Sequence, residues 1–418
     1  MIGRNQGKST VRRACAGVGL LAFAAALWTT PIAEAQPPDD PAPAEAPPEA
    51  VPPPADDEPD DPARVTAEVD DVRVVAGLRE GLQVEAPNAA GFVFQTHFAA
   101  WFRYVVDAPV DFDAAHYFQV PLARPLLQVS VLDGMFELLF QPELAGTPRL
   151  LDLQLDMVID PAFRVRIGQF RTPASRAFAT PIILLQMPGR GVVSNQFRAG
   201  RDTGLMIFGT AGAFEYAVGI FNGSGINGRL GDTPAPMGVA RFVLTPYGEV
   251  PYDQTPSLTT ANPSGLAIGV DGWYRERDTA PPATPPQVVQ TANGSVDVSL
   301  VEGPFAIFAE GHLRGQSLGG APWGVSWGAF VQAGIFVVPQ IFEISARGAW
   351  VDPDTDVDGD LVQTYDATLA GYLYVDDVAY GNHLKLMLRY RFADTVTGFG
   401  PLPSGSSHQV MTQIQLWL

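Results

Sequence analysis

Cysteine is almost missing from this 418-residue chain: Cys15 is the only one. It lies in an N-terminal segment that reads as an export signal, so the exported chain has no thiol chemistry and no disulfides. It must be held by hydrogen-bonded ladders and packing. Lysine is confined to Lys8 and Lys385, and no nucleic-acid partner is expected. Histidine is scarce, and His97, His116, His312, His383 and His408 form neither a Ser/His/Asp signature nor an H-E-x-x-H spacing. Glu310 and His312 share a strand face, which two-residue spacing gives for free. Gly223-Ser224-Gly225 lacks the lysine and spacing of a phosphate loop. No enzyme activity, catalytic residue, cofactor or metal is expected. Beyond residue 35 no apolar run is long enough for a spanning helix, which excludes a helical membrane protein, and no helical period persists.

What is present begins at the N-terminus. Residues 1–35 have the order of a signal peptide. Arg4, Lys8, Arg12 and Arg13 are basic, Ala14 to Trp28 is apolar, and Ala33-Glu34-Ala35 is an A-x-A cleavage site. The apolar run falls short of the ~20 residues of a spanning helix. Residues 36–77 are expected to form a disordered Pro/Ala/acidic linker in the periplasm. Its core, 36–62, has almost no large apolar residue to offset ordering entropy. Its proline density makes it a semi-rigid spacer. A plain tether and a contact with peptidoglycan both fit it. The linker carries a sizeable share of the formal charge of −19, so that charge does not imply an acidic working surface.

Residues 78–418 alternate. In His408–Leu418, Val410, Thr412, Ile414, Leu416 and Leu418 share one face, while Gln409, Met411, Gln413 and Gln415 share the other. A soluble sandwich buries its apolar face. A membrane barrel turns that face to lipid and lines its lumen with polar side chains. Segments of this kind number about 16 between residues 91 and 418, most near the ~9–11 residues of a tilted spanning strand. Joins between them alternate. Leu132-Asp133-Gly134, Asp160-Pro161-Ala162, Thr210-Ala211-Gly212 and Glu302-Gly303 are short, and those between are longer, 172–199 most of all. Only Pro246 to Ser264 is long on the short side. The expected fold is all-β: a closed antiparallel transmembrane barrel with its third long loop in the lumen.

One hairpin carries the inside-out argument. Leu153, Leu155 and Met157 face one way, and Asp152, Gln154 and Asp156 the other. A turn at 160–162 pairs Ile159 with Phe163 and so sets Asp156 opposite Arg166. In a dry core such a row is costly; in a watery lumen the cost largely vanishes.

Three stretches resemble the phosphate-selective porin O and P family of Gram-negative outer membranes. They are Gly168-Gln169-Phe170-Arg171-Thr172-Pro173, Gly200-Arg201-Asp202-Thr203-Gly204-Leu205 and Phe221-Asn222-Gly223. The resemblance implies a 16-stranded barrel, often trimeric, whose third loop constricts the lumen. The family's lysine clusters are absent, so phosphate selectivity does not carry over. Leu418, with Trp417 beside it, replaces the usual terminal aromatic.

Parity places Arg164, Arg166, Lys385, Arg389 and Arg391 on the lumen wall with Asp152 and Asp156. Arg171, Arg176, Arg190, Arg198 and Arg201 fall at or in the constriction loop, which has no acid between Thr172 and Ala199. Two roles fit these arginines: an anion-attracting field, or pairing with wall acids to hold the loop. The expected function is a passive outer-membrane pore for small solutes with weak anion preference. A non-conducting barrel that tethers envelope layers is the alternative. Expected partners are outer-membrane lipid and lipopolysaccharide, the barrel-assembly machinery through the C-terminal strand, small anionic solutes and further copies in a homotrimer. Asp354-Thr355-Asp356-Val357-Asp358-Gly359-Asp360 resembles the start of a calcium loop, but Tyr365 stands where the bidentate Glu is needed.

Overall fold

A computed structural model describes residues 64–69, 72–110, 113–228, 235–278, 287–375, 378–395, 402 and 404–418. The expected signal (1–35) and the linker core (36–62) lie outside the described residues.

Three short strands come first: β1 (Val65–Val69), β2 (Val72–Gly77) and β3 (Gly81–Ala86). Then follow β4 (Phe92–Pro109), β5 (Ala115–Val131), β6 (Phe136–Glu143), β7 (Arg149–Asp160) and β8 (Phe163–Arg171). After a long loop come β9 (Arg201–Ala211), β10 (Phe214–Phe221), β11 (Met237–Gly248), β12 (Ser264–Asp278) and β13 (Val288–Glu302). The chain continues with β14 (Phe305–Leu318), β15 (Gly324–Val338), β16 (Phe342–Asp352) and β17 (Val362–Tyr372). A small hairpin, β18 (Tyr374–Val375) and β19 (Val378–Ala379), precedes β20 (Leu384–Thr395) and β21 (Gly405–Trp417).

Sixteen of these, β4–β17 with β20 and β21, form a closed antiparallel barrel. Each pairs with its neighbour in sequence, β17 with β20, and β21 closes onto β4. The faces alternate as the sequence predicts. On β12, Val270 is 46% exposed on the outside while Asp271 is 8% exposed on the inside. Leu153, Leu155, Ile207, Val218, Val296, Leu388 and Ile414 are likewise exposed outside. Gln413, Gln415, Glu343 and Lys385 are buried inside. This polarity is the reverse of a soluble sandwich and matches a barrel whose outer band meets hydrocarbon.

Joins at one end of the barrel are 132–135, 161–162, 212–213, 249–263, 303–304, 339–341 and 373–383. At the other they are 110–114, 144–148, 172–200, 222–236, 279–287, 319–323, 353–361 and 396–404. We call these the turn end and the loop end. The hairpin β7–β8 keeps the expected Asp156–Arg166 pair, with Arg166 Nε 2.6 Å from Asp156 Oδ1. The turn is tighter than expected: Asp160, not Ile159, pairs with Phe163, and an irregularity at Ile159 restores the register.

The linker expectation is corrected where it reached residue 77. Val65, Val69, Val72, Val74 and Val75 have β propensity that the neighbouring acids obscured. β1 pairs with β2 and β2 with β3, which pairs with Phe92–Thr96 of β4. Strand order therefore begins before the barrel.

Candidate lumen site

Two connections fold into the lumen. The first is the expected constriction loop, 172–200. It holds α1 (Arg176–Ala179), a 3-10 turn at Ile182–Leu184 and α2 (Gly191–Phe197). Ser175 caps α1 from the left-handed region, φ 71°, and its Oγ accepts from the amide of Phe178 at 3.1 Å. The same hydroxyl donates to Glu310 (2.6 Å), and the Ser175 amide donates to Asp271 (3.0 Å). His312 also bonds Glu310, at 2.6 Å. Serine and histidine thus share a carboxylate rather than contacting each other. The constellation anchors the loop.

Wall cations hold the rest of the loop by its carbonyls. Lys385 Nζ donates to Leu185 O (2.7 Å), Arg347 to Gly189 O (3.1 Å), Arg389 to Pro188 O (3.4 Å) and Arg314 to Gln196 O (2.9 Å). Apolar packing adds to this: Val193 and Phe197 of α2 bury against Phe330, Ala349, Val351 and Val362. Two inward glycines of β15 make the room. A Cβ on Gly328 would stand 2.4 Å from the Phe197 ring, and one on Gly334 would stand 2.0 Å from the Gln186 amide.

The second insertion is the connection 249–263, the long join on the turn end. Asp253, Gln254, Thr255, Pro256 and Leu258 are buried. Leu258 packs with Phe336, Ala370, Tyr372 and Met387. The two insertions meet inside the barrel. The Gln254 backbone N–H donates to Leu184 O (3.0 Å), and Arg176 Nη2 donates to Val250 O and Pro251 O, both at 2.8 Å. Arg176 therefore clamps one insertion to the other.

The constriction loop packs on β15–β17 through α2 and on β4 and β5 through Ile182 and Ile183, and space remains beside β5–β9. Three cavities lie there, of about 320, 380 and 310 Å³. All three are lined by Arg166, and the last two also by Arg171.

Charge on this side is unevenly paired. Arg124 binds Glu143 (2.7 Å), Arg166 binds Asp156 (2.6 Å) and Arg201 binds Asp152 (2.8 Å). Among the described residues no carboxylate pairs with Arg171, Arg190 or Arg198. Their guanidinium carbons stand 5.7, 5.5 and 5.4 Å from the ring of Phe178. Arg171 donates to Ala179 O (2.5 Å) and Arg190 to Ala177 O (2.9 Å). Burial, and then the guanidinium groups of Arg171, Arg201 and Arg198, hold the pKa of Arg190 well below the ordinary arginine value. Burial and then Arg201 lower that of Arg198. An anion among these groups would relieve their repulsion.

No protein-family model and no curated protein matches the chain. Solved structures do. The anion-selective porin from Comamonas acidovorans aligns with a TM-score of 0.59 at 11% identity, over 78% of this chain and 100% of that one. OmpT of Vibrio cholerae, an outer-membrane protein, aligns with 0.55 at 9%, over 78% and 98%. The outer membrane channel DcaP of Acinetobacter baumannii aligns with 0.53 at 11%, over 79% and 98%. The fold is that of outer-membrane porins. The likeness to the phosphate-selective porin O and P family rests on the three sequence motifs alone.

The residues singled out from sequence are dispersed over two zones. Arg171, Arg190 and Arg198 gather near Phe178, while Arg201 is paired with Asp152 and Arg166 with Asp156. Arg164 lines the same passage. Arg176 faces the second insertion instead. Lys385 and Arg389 lie beneath the constriction loop, and Arg391 is bound by Asp366 at 2.7 Å. Glu143, Asp297, Tyr252 and Phe178 were not singled out, and Trp417 was noted only as the neighbour of Leu418. Trp417 faces inward and stacks on His97 at 4.8 Å; its alternation with Gln413 and Gln415 was the available signal. In the Asp-rich loop Asp354 accepts the amide of Asp356 at 3.1 Å. No group of three acidic or histidine ligands converges among the described residues.

Proposed function

We propose that the chain is a porin-type channel of a Gram-negative outer membrane, passing small solutes with a weak preference for anions. The observation that carries this reading is the set of three arginines around Phe178, with which no carboxylate among the described residues forms an ion pair. Loops sit at the extracellular end and turns at the periplasmic end, with the N-terminal linker in the periplasm. Lipid and lipopolysaccharide meet the outer band, and a homotrimer and C-terminal recognition by the assembly machinery belong to the same reading. A narrow passage focuses the arginines' field on passing ions.

The test is a salt-gradient reversal potential in a planar bilayer. Arg190→Gln with Arg198→Gln should lower the anion/cation permeability ratio, by roughly twofold to fivefold if the charge acts across a partly screened passage. An unchanged reversal potential would sink the anion preference. The filling of the lumen by two insertions favours a second reading, a non-conducting barrel that tethers the outer membrane to the periplasm. A correctly assembled protein that gives no current steps supports it.

A further inference from the structure

The cavity of about 380 Å³ has two unlike sides. One, the barrel wall, is mixed: Arg124, Arg171, Gln141, Gln154 and Asp152, the last held by Arg201, alternate there with Leu126 and Leu139. Ile182, Ile183 and Leu184 of the constriction loop supply the other, which is apolar. The apolar side is supported from behind: Ile182 and Ile183 pack on Ala99, Trp101 and Leu122. Of the cations lining it, Arg124 and Arg166 are bound by Glu143 and Asp156. Among the described residues Arg171 has no ion-pair partner, Asp152 nearby being held by Arg201, and its buried Nε has no hydrogen-bond partner.

We propose that this slot selects small organic acids with one carboxylate and an apolar body, over inorganic anions of the same charge. This rests on the channel reading above. The carboxylate pairs with Arg171, whose planar donors fit it. The body lies against Ile182, Ile183 and Leu139. A hydrated inorganic anion gains from the arginine but nothing from the apolar side, since that gain scales with apolar area removed from water. A passage built for inorganic anions alone would have polar groups on both sides. The volume accommodates a ring-sized body together with water.

The experiment uses the exported chain in a planar bilayer in potassium chloride, with benzoate or acetate added. The two probes share a carboxylate and differ in apolar body. Benzoate should interrupt the current with a residence time about tenfold longer than that of acetate, a difference of about 1.4 kcal/mol. Ile183→Asn should bring the two residence times to within about twofold, and Arg171→Gln should shorten both about tenfold. Leu139→Gln repeats the first test from the barrel wall without altering the loop. Equal residence times in the parent protein, or an unchanged benzoate-to-acetate ratio in both Ile183→Asn and Leu139→Gln, overturn the slot and leave the channel standing. Assembled protein that never conducts overturns the channel and the slot with it.

Discussion

Arg241 stands between two carboxylates, Asp271 at 2.9 Å and Asp297 at 2.6 Å, and is only 2% exposed. The second insertion covers it: Tyr252 OH lies 3.3 Å from its Nε. The triad is almost wholly buried, so losing its central charge leaves two buried acids facing each other. Arg241→Leu should therefore destabilise the barrel by roughly 3–5 kcal/mol, read as a lower unfolding midpoint in detergent. Gly334 makes a steric prediction. Gly334→Leu has no room beside Gln186, so the constriction loop must move toward the open side and single-channel conductance should fall by about half or more. Strand parity made pairs such as Asp156–Arg166 legible, because facing residues of a hairpin are fixed by its turn. Gln186 beside Gly334 and Tyr252 above Arg241 were not legible. They sit on inserted connections, and no local period says which wall a connection will press against.

The connection 249–263 is the element that the sequence marked as irregular but did not place. Its length on the turn end was visible; its inward fold was not, because that fold depends on contacts from 184 to 382 along the chain. Thr255 Oγ1, for example, accepts from Asn382 Nδ2 at 2.9 Å. Replacing 250–261 by a short Gly-containing turn should raise conductance roughly twofold, since the constriction loop would then be the one remaining insertion. A conductance equal to that of the parent would mean that this element does not border the conducting path. The constriction loop itself was legible by length and by lack of acids. Strand ends were less so: β13 and β14 run several residues beyond the alternating segments, because ladder bonds continue where the sequence turns polar.

At the scale of the whole molecule, medium and side-chain polarity must agree. Val270 is outside and near the middle of its strand, between Phe242 and Val296. Val270→Arg should cost about 2–4 kcal/mol in lipid vesicles, measured by equilibrium unfolding. An unaffected midpoint would mean that this band does not meet hydrocarbon. The sixteen-strand count was legible because alternation recurs in every segment, and closure follows from the last strand having only β4 to pair with.

One edge of β4 is divided between two partners. β21 takes Ala99–Pro109, β3 takes Phe92–Thr96, and Phe98 exchanges backbone bonds with Leu418 between them, at 2.7 and 2.9 Å. A seam strand with alternating faces can slide by two residues and still present its greasy side outward. Here such a slip would drive Leu418 into the rung that Leu82 already shares with Thr96. The short meander ahead of the barrel is thus a doorstop: it gauges where the final zip must halt, and a cylinder sealed one notch too far has nowhere to go.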